Sequence, residues 1–326
     1  MIISRTPLRV SLFGGGTDLN DYYSKFGGSF FSFTINKYIY ISAHSLVESS
    51  SILLKYSSSE LVRKASLIKH PVFRAVCLDY KLAGIDISVS SDIPAGTGLG
   101  SSSAFTCGLI NAIRVMKNMK TTPLVLAKES CRIEIDVLKE PIGIQDQYSV
   151  AYGGVAKYAI SRSGNVLREP IPDYESFSGI VRENFVLVRV HGKRDLSKIM
   201  LEQKANFAAG RSEEILNELK SLGTNSLDII NSGPKKIGES LRYAWSLKKQ
   251  LAQSISNPML DSLVDDYIEA GFYGAKLLGA GSSGYLLLVG PSRQIKKLKA
   301  SIKIQSLALN CVSEGSTIIY NGDGLD

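Results

Sequence analysis

Apolar and polar positions along the chain follow two different periods. Residues 85–90 (IDISVS) set Ile85, Ile87 and Val89 on one face with polar residues between them, the alternation of a half-buried strand. Residues 29–43 (SFFSFTINKYIYISA) are dense in aromatic and β-branched side chains and predict a longer strand. Residues 9–13 form a short extended segment that Gly14, Gly15 and Gly16 break. The period then lengthens. Phe105, Leu109, Ile110, Ile113 and Met116 recur at helical spacing over residues 101–119. A second helix is predicted from Thr122, a cap, and Pro123, suited to a first turn, to about residue 139.

Residues 164–178, with Pro170 and Pro172, read as a crossing between domains. Beyond it come a strand at 185–190, two or more helices between 195 and 269, a glycine-rich turn, a strand at 285–289, a basic helix and a last strand at 317–320. Both element types in both halves predict an α+β fold, with domains at 1–175 and 176–326.

Composition narrows the function classes. A chain of 326 residues, 44% hydrophobic, is long enough for two cores. No apolar run approaches the ~18–20 residues of a membrane span. Arg5 and Arg9 interrupt the first ten residues, so no signal peptide and a cytoplasmic location are expected, with no membrane partner. Lys and Arg exceed Asp and Glu by 38 to 30, a net charge of +8 that draws anions. The densest basic run, residues 293–303, carries Ile295, Leu298 and Ile302 at helical spacing and reads as a solvated face over a core stripe, not a nucleic-acid site. Four scattered cysteines without a CxxC and three scattered histidines imply neither a disulfide framework nor a zinc site.

Three glycine-rich loops carry the candidate chemistry. The first is DIPAGTGLGSSSAF, residues 92–105, between a predicted strand and a predicted helix. Gly96, Gly98 and Gly100 allow close backbone approach to a ligand. The first amides of the following helix lack intrahelical acceptors and sit at the positive end of its dipole, a ready phosphate cradle. Ser101, Ser102 and Ser103 add hydroxyls for phosphate oxygens or a magnesium ion. No GxxxxGK[ST] exists, so this is not a Walker loop.

The second loop, residues 279–284 (GAGSSG), fits GxGxxG, but a strand follows it at once where a dinucleotide fold needs a helix. A glycine hairpin beside a ligand fits better than a nicotinamide site. The third loop is GGGTD, residues 14–18, where Asp18 either accepts from sugar hydroxyls or, with Thr17, caps the next segment. Two carboxylates complete the set. Glu134 lies at the edge of the stripe formed by Leu124, Ala127, Cys131, Ile135 and Leu138, where a carboxylate needs a partner such as magnesium or a buried base. Asp146 is either an N-cap or a positioned base.

Together these residues resemble the GHMP kinases, the superfamily of galactokinase, homoserine kinase, mevalonate kinase and phosphomevalonate kinase. The resemblance rests on three motifs in order: Pro7-Leu8-Arg9-Val10 through Gly14-Gly15-Gly16-Thr17-Asp18, Pro94 through Gly98-Leu99-Gly100-Ser101-Ser102-Ser103-Ala104, and Gly279 through Gly284. It implies an N-terminal domain like ribosomal protein S5 domain 2, a ferredoxin-like C-terminal domain, and a cleft between them for ATP and sugar.

Carried over residue by residue, the resemblance implies a set of roles. Ser102 and Glu134 match magnesium ligands, Asp146 the base, and Arg9 the cation near the γ-phosphate. The loop from Pro94 through Gly96, Gly98, Leu99, Gly100, Ser101, Ser102 and Ser103 matches the ATP site. Gly15, Gly16, Thr17, Asp18 and Gly281 fall to the sugar. Where galactokinases carry Glu-His before Thr-Asp, this chain has Gly15 and Gly16, a pattern similar to kinases of D-glycero-D-manno-heptose 7-phosphate. The implied reaction makes the 1,7-bisphosphate for activated heptose and surface polysaccharide, with Lys193 and Arg194 as candidates for the distal phosphate. Alternatives are a fucokinase-like or galactokinase-like enzyme and a non-catalytic sugar and ATP sensor. The expected partners are ATP, magnesium and a sugar phosphate, and a homodimer is allowed for.

Overall fold

The structure is a computed structural model that describes residues 1–47, 49–192, 196–301 and 304–322. The first half builds strands β1 (Ile2–Phe13), β2 (Gly28–Ser45), β3 (Ile52–Lys55), β4 (Ser59–Val62), β5 (Ile85–Ser91), β6 (Val155–Ile160) and β7 (Val166–Pro170). The second half adds β8 (Phe185–Val190), β9 (Gly274–Leu277), β10 (Gly284–Val289), β11 (Ser306–Ala308) and β12 (Thr317–Asn321). The helices are α1 (Asn20–Phe26), α2 (Pro71–Asp79), α3 (Ser101–Met116), α4 (Pro123–Cys131), α5 (Gln145–Tyr152) and α6 (Tyr174–Asn184), then α7 (Leu196–Ala208), α8 (Glu213–Thr224), α9 (Ser226–Asn231), α10 (Pro234–Lys249), α11 (Pro258–Glu269) and α12 (Ser292–Lys299).

The first sheet runs β12-β1-β2-β5-β3-β4, with β6 and β7 branching from β2. The branch arises because β2 is long: its first residues pair with β6, its last with β5, and β1 runs along both stretches. A register shift at Pro7/Leu8 accommodates the proline, which has no amide to give to the ladder. The expected short segment at 9–13 is thus the end of a strand that starts at Ile2, whose polar Ser4 and Thr6 are buried, Ser4 bonding the Gly108 carbonyl of α3 and Thr6 the Ser316 hydroxyl. β12 pairs antiparallel with β1, so the chain's last described strand rejoins the first sheet. We propose 175/176 as the domain boundary, with this strand returned across it.

The second sheet, β11-β8-β10-β9, is antiparallel throughout, covered by α10 and α11 beside β9 and by α6 and α12 beside β8. Residues 164–178 are not a bare crossing. They form β7 and the start of α6, because Val166 and Leu167 pair with β6 before the prolines intervene. Phe31 and Phe33 on β2 meet Phe177 on α6 edge to face at 5.8 and 5.6 Å, and Phe33 meets Phe185 on β8 at 6.2 Å. Such pairs add about 0.5–1.5 kcal/mol each beyond their buried area and join the two sheets in one core.

Candidate active site

A cleft of about 310 Å³ lies between the two sheets, lined by elements of both. Its floor on one side is the loop between β5 and α3. Gly100 stands in the N-cap position of α3 in left-handed backbone, φ 73°, and no side chain caps the helix. The opening amides of a 16-residue helix are therefore left for a ligand, at the positive end of its dipole. Gly96, Gly98, Gly100, Ser101, Ser102 and Ser103 all line the cleft. Pro94 does not line it, and Leu99 is fully buried, its carbonyl accepting from the Arg9 amide at 3.0 Å.

The β9–β10 hairpin holds this loop from behind. The Tyr285 amide donates to the Thr97 carbonyl at 3.1 Å. Gly98 has φ +86°, and a Cβ there would stand 2.3 Å from the Leu278 carbonyl oxygen. Residues 279–284 are thus a hairpin turn with no helix after it, as expected. Gly279 and Ala280 reach the cleft, whereas Gly281 packs against the backbone of Ile255 and does not.

Glu134 sits immediately behind the cleft wall, 1% exposed. The second helix does not run on as one α-helix: it changes at Arg132–Val137 into a π-helical turn, which widens the helix and alters its phase. That turn delivers Glu134 to four neutral donors, the hydroxyls of Ser102 (3.0 Å), Ser103 (2.8 Å) and Thr106 (3.0 Å) and Nε2 of Gln147 (2.7 Å). Burial pushes its carboxyl above the usual range, and these hydrogen bonds oppose the shift. Arg132 pairs with Asp79 instead. The serines therefore bind a carboxylate and do not cap their helix. No cluster of three or more His, Cys, Asp or Glu suited to a metal exists among the described residues. Ser102 Oγ and the Glu134 carboxylate are hard oxygen donors 3.0 Å apart, a set that fits magnesium when phosphates and water supply the other positions.

Arg9 and Asp146 meet across the cleft floor. Nε and Nη2 of Arg9 donate to the two carboxylate oxygens of Asp146 at 2.7 Å each, and Nη1 donates to the Gly98 carbonyl at 2.7 Å. The guanidinium is nearly buried, whereas the Asp146 side chain is 29% exposed and opens to the cleft. Asp146 is no N-cap. Helix α5 starts one residue earlier, with Ile144 in that position, so the carboxylate in its first turn is available to Arg9.

Asp18 is 7% exposed and accepts from the Gly16 amide at 2.9 Å and the Gln145 amide at 3.1 Å. Burial raises its carboxyl above the ordinary value, and the charge of Asp146 adds to the rise. Gly15 and Gly16 line the same wall. Thr17 points inward, donating to the carbonyls of Gly14 and Ser29, and is structural. Lys193 and Arg194 lie outside the described residues.

Three further cleft residues escaped the sequence reading. Lys276 on β9 is buried and donates to the carbonyls of Ser11 (3.2 Å) and Leu12 (2.7 Å). Burial, then the charge of Arg9, pulls its amine down to about 7. Its signal in the sequence is a lysine inside an apolar strand (GAKLL) just before a glycine loop. Gln145 lines the cleft with a buried Nε2 that has no acceptor. Lys248 on α10 donates to the Gly279 carbonyl. Lysine and arginine are matched by acid among the lining residues: Arg9, Lys248 and Lys276 against Asp18, Glu140 and Asp146. The net charge of +8 is therefore not gathered here.

The geometry is matched by known proteins. Residues 63–154, the span holding the loop, α3, Glu134 and Asp146, match the GHMP kinases N terminal domain. That span therefore carries the N-terminal domain of the GHMP kinases. Proteins of this family use ATP as phosphoryl donor, and the chain is a phosphotransferase. It is 26% identical over 319 residues to D-glycero-alpha-D-manno-heptose 7-phosphate kinase of Campylobacter jejuni, covering 93% of this chain and 94% of that one. It is 28% identical over 249 residues to mevalonate kinase of Pyrococcus horikoshii, covering 73% and 69%. The crystal structure of a D-glycero-D-manno-heptose 1-phosphate kinase from Bacteroides thetaiotaomicron superposes with a TM-score of 0.78 at 20% identity over 98% of this chain and 100% of that one. That likeness gives the chain the mixed helix-and-sheet fold of such kinases, as expected from its motifs. No helix among the described residues is long and apolar enough to cross a membrane.

Proposed function

We propose that this GHMP kinase is a cytoplasmic sugar-1-kinase that moves the γ-phosphoryl group of ATP onto the anomeric hydroxyl of D-glycero-D-manno-heptose 7-phosphate, giving the 1,7-bisphosphate for activated heptose and surface polysaccharide. The observation that carries the reading is the meeting, in one cleft, of the uncapped start of α3, the Arg9–Asp146 pair and Asp18. The likeness to the Campylobacter kinase along nearly the whole chain supports the choice of sugar, as does the room left by Gly15 and Gly16.

The residues divide the chemistry as follows. Amides at Ser101–Ser103 and the Gly96–Gly100 loop bind the polyphosphate. A divalent cation held by Ser102 and Glu134, when bound, supplies charge neutralisation on the phosphate oxygens. Asp18 and the backbone around Gly15 and Gly16 orient the acceptor, and Gln145 offers a further donor. Asp146 uses lone pairs not committed to Arg9 to take the acceptor proton. The acceptor oxygen bonds to the γ-phosphorus as the bond from that phosphorus to the β-bridging oxygen breaks, and ADP leaves. Arg9 holds Asp146 in place and offsets charge on the transferring group.

An ADP-release screen across heptose 7-phosphate, fucose, galactose and mevalonate tests the assignment. Turnover is expected to be highest with heptose 7-phosphate. Turnover with fucose or galactose and none with heptose 7-phosphate moves the enzyme to an unphosphorylated sugar, and no ADP with any acceptor argues for a sensor.

A further inference from the structure

Lys276 is placed where neither packing nor ion pairing accounts for a lysine. Its neighbours on β9, Ala275 and Leu277, are fully buried core residues of the second sheet. Its own side chain leaves that core and crosses to the first sheet, ending at the last residues of β1 just before Gly14–Gly16. It lines the cleft, yet no carboxylate pairs with it among the described residues. Its acceptors are two neutral carbonyls. An ammonium has three donors, so one remains unassigned after Ser11 and Leu12 are served.

The charged groups that share its cleft are Arg9 on β1, Asp18 beyond that strand's end, Glu140 and Asp146 before and on α5, and Lys248 on α10. Tyr285 is the titratable residue that neighbouring β10 contributes. Arg9 is the neighbour whose charge acts on the amine, and it repels. A buried cation without a counter-charge is costly, and the cost falls when an anion arrives. A methionine would fill the space, and a neutral donor would tie the strands.

We propose that Lys276 is an unassigned anion-binding residue of this cleft, anchored on the carbonyls of Ser11 and Leu12 and contacting the phosphoryl group that passes from nucleotide to acceptor. The inference rests on the phosphotransferase reading, and Lys276 joins Arg9 as a second fixed cation. Burial and Arg9 hold its amine down to about 7, so an arriving anion favours the protonated form and its binding draws in a proton.

Calorimetry of magnesium with a non-hydrolysable ATP analogue, and of inorganic tripolyphosphate, tests this at pH 8 in Tris and in HEPES. The wild-type binding enthalpy should differ between the two buffers by the protons taken up multiplied by the difference between the buffers' ionisation heats. Lys276→Arg should bind with no buffer dependence. Lys276→Met should bind at least tenfold more weakly and lose at least a hundredfold in kcat while KM for the acceptor changes little. Equal wild-type enthalpies in both buffers, or Lys276→Met within twofold of wild type in binding and kcat, overturn the proposal and leave a structural tie. The buffer comparison needs no variant, so a misfolded Lys276→Met does not remove the test. Wild-type protein that binds the analogue with proton uptake but phosphorylates no acceptor refutes the kinase assignment and keeps the anion site; failure to bind either polyphosphate refutes both.

Discussion

Replacing Asp146 by Asn separates chemistry from architecture. Wild-type Asp146 gives both carboxylate oxygens to Arg9 at 2.7 Å, and the guanidinium is nearly out of solvent. Asparagine keeps one acceptor and turns an amide N–H toward a cation, so one charge-assisted hydrogen bond and the charge itself are lost. Breaking a fully buried ion pair costs roughly 3–5 kcal/mol. Asp146 is 29% exposed, which screens the pair, and Arg9 keeps the Gly98 carbonyl, so about 1–3 kcal/mol is the better figure. A domain with about 5–15 kcal/mol of stability remains folded after that loss. Catalysis should suffer more. Removing a positioned base costs on the order of 10²–10⁴ in rate, about 3–5 kcal/mol at 1.36 kcal/mol per decade. The assay pairs kcat from ADP release with thermal unfolding and with calorimetric binding of magnesium ADP. The expected outcome is a modest fall in Tm, binding within about threefold of wild type, and a kcat loss of at least a hundredfold. A folded Asp146→Asn enzyme that turns over within about threefold of wild type refutes the assignment of this residue as the proton acceptor.

Three other outcomes follow from the site. Glu134→Gln should fold with little loss of Tm, because Gln147 can reverse its amide and offer its unpartnered Oε1, while apparent magnesium affinity drops at least tenfold; unchanged magnesium dependence would remove Glu134 from the metal site. Gly98→Ala meets the Leu278 carbonyl and should raise KM for ATP at least tenfold, whereas Gly96→Ala, with φ +74° and open space, should cost only about 1–2 kcal/mol of stability; equal kinetics for the two would contradict the tight-loop account. Asp18 has a raised folded pKa, so it protonates at a higher pH than an ordinary aspartate as acid is added, and the stability it contributes below its unfolded pKa fades as pH rises through the folded value. KM for the acceptor should therefore climb on acidification from above pH 4, with Asp18→Asn high and flat across the range, and a flat wild-type profile would count against an ionised Asp18 in binding.

How much of this was readable from residues alone varies by feature. The loop ahead of α3 was legible because its glycines and serines exceed what a turn or a cap requires, and the hairpin at 279–284 because a strand follows it directly. Arg9 and Asp146 lie 137 positions apart, and nothing in periodicity joins them. Only the family likeness did. The π turn at Glu134 was hidden, since an α period fits residues 124–138 well and the phase change is set by the serines and Gln147 that receive the carboxylate. The full length of β1 was obscured by Arg5, Pro7 and Arg9, polar or ladder-breaking residues that look like loop. Lys276 was missed because a single lysine in an apolar strand normally marks an edge facing water, and the partner that buries it belongs to the other sheet. Thr17, Leu99 and Gly281 were assigned to ligands through motif membership, which does not reveal that Thr17 donates to backbone carbonyls, that Leu99 is buried or that Gly281 packs on Ile255.

The most direct measurement is a nitrogen–proton NMR titration with magnesium ADP that follows the backbone amides of Ser101, Ser102 and Ser103. Large, saturable shifts are expected at these three amides, lost on Gly98→Ala and diminished without magnesium. Nucleotide that binds while leaving these resonances unmoved, or no binding at millimolar concentration, would contradict that expectation.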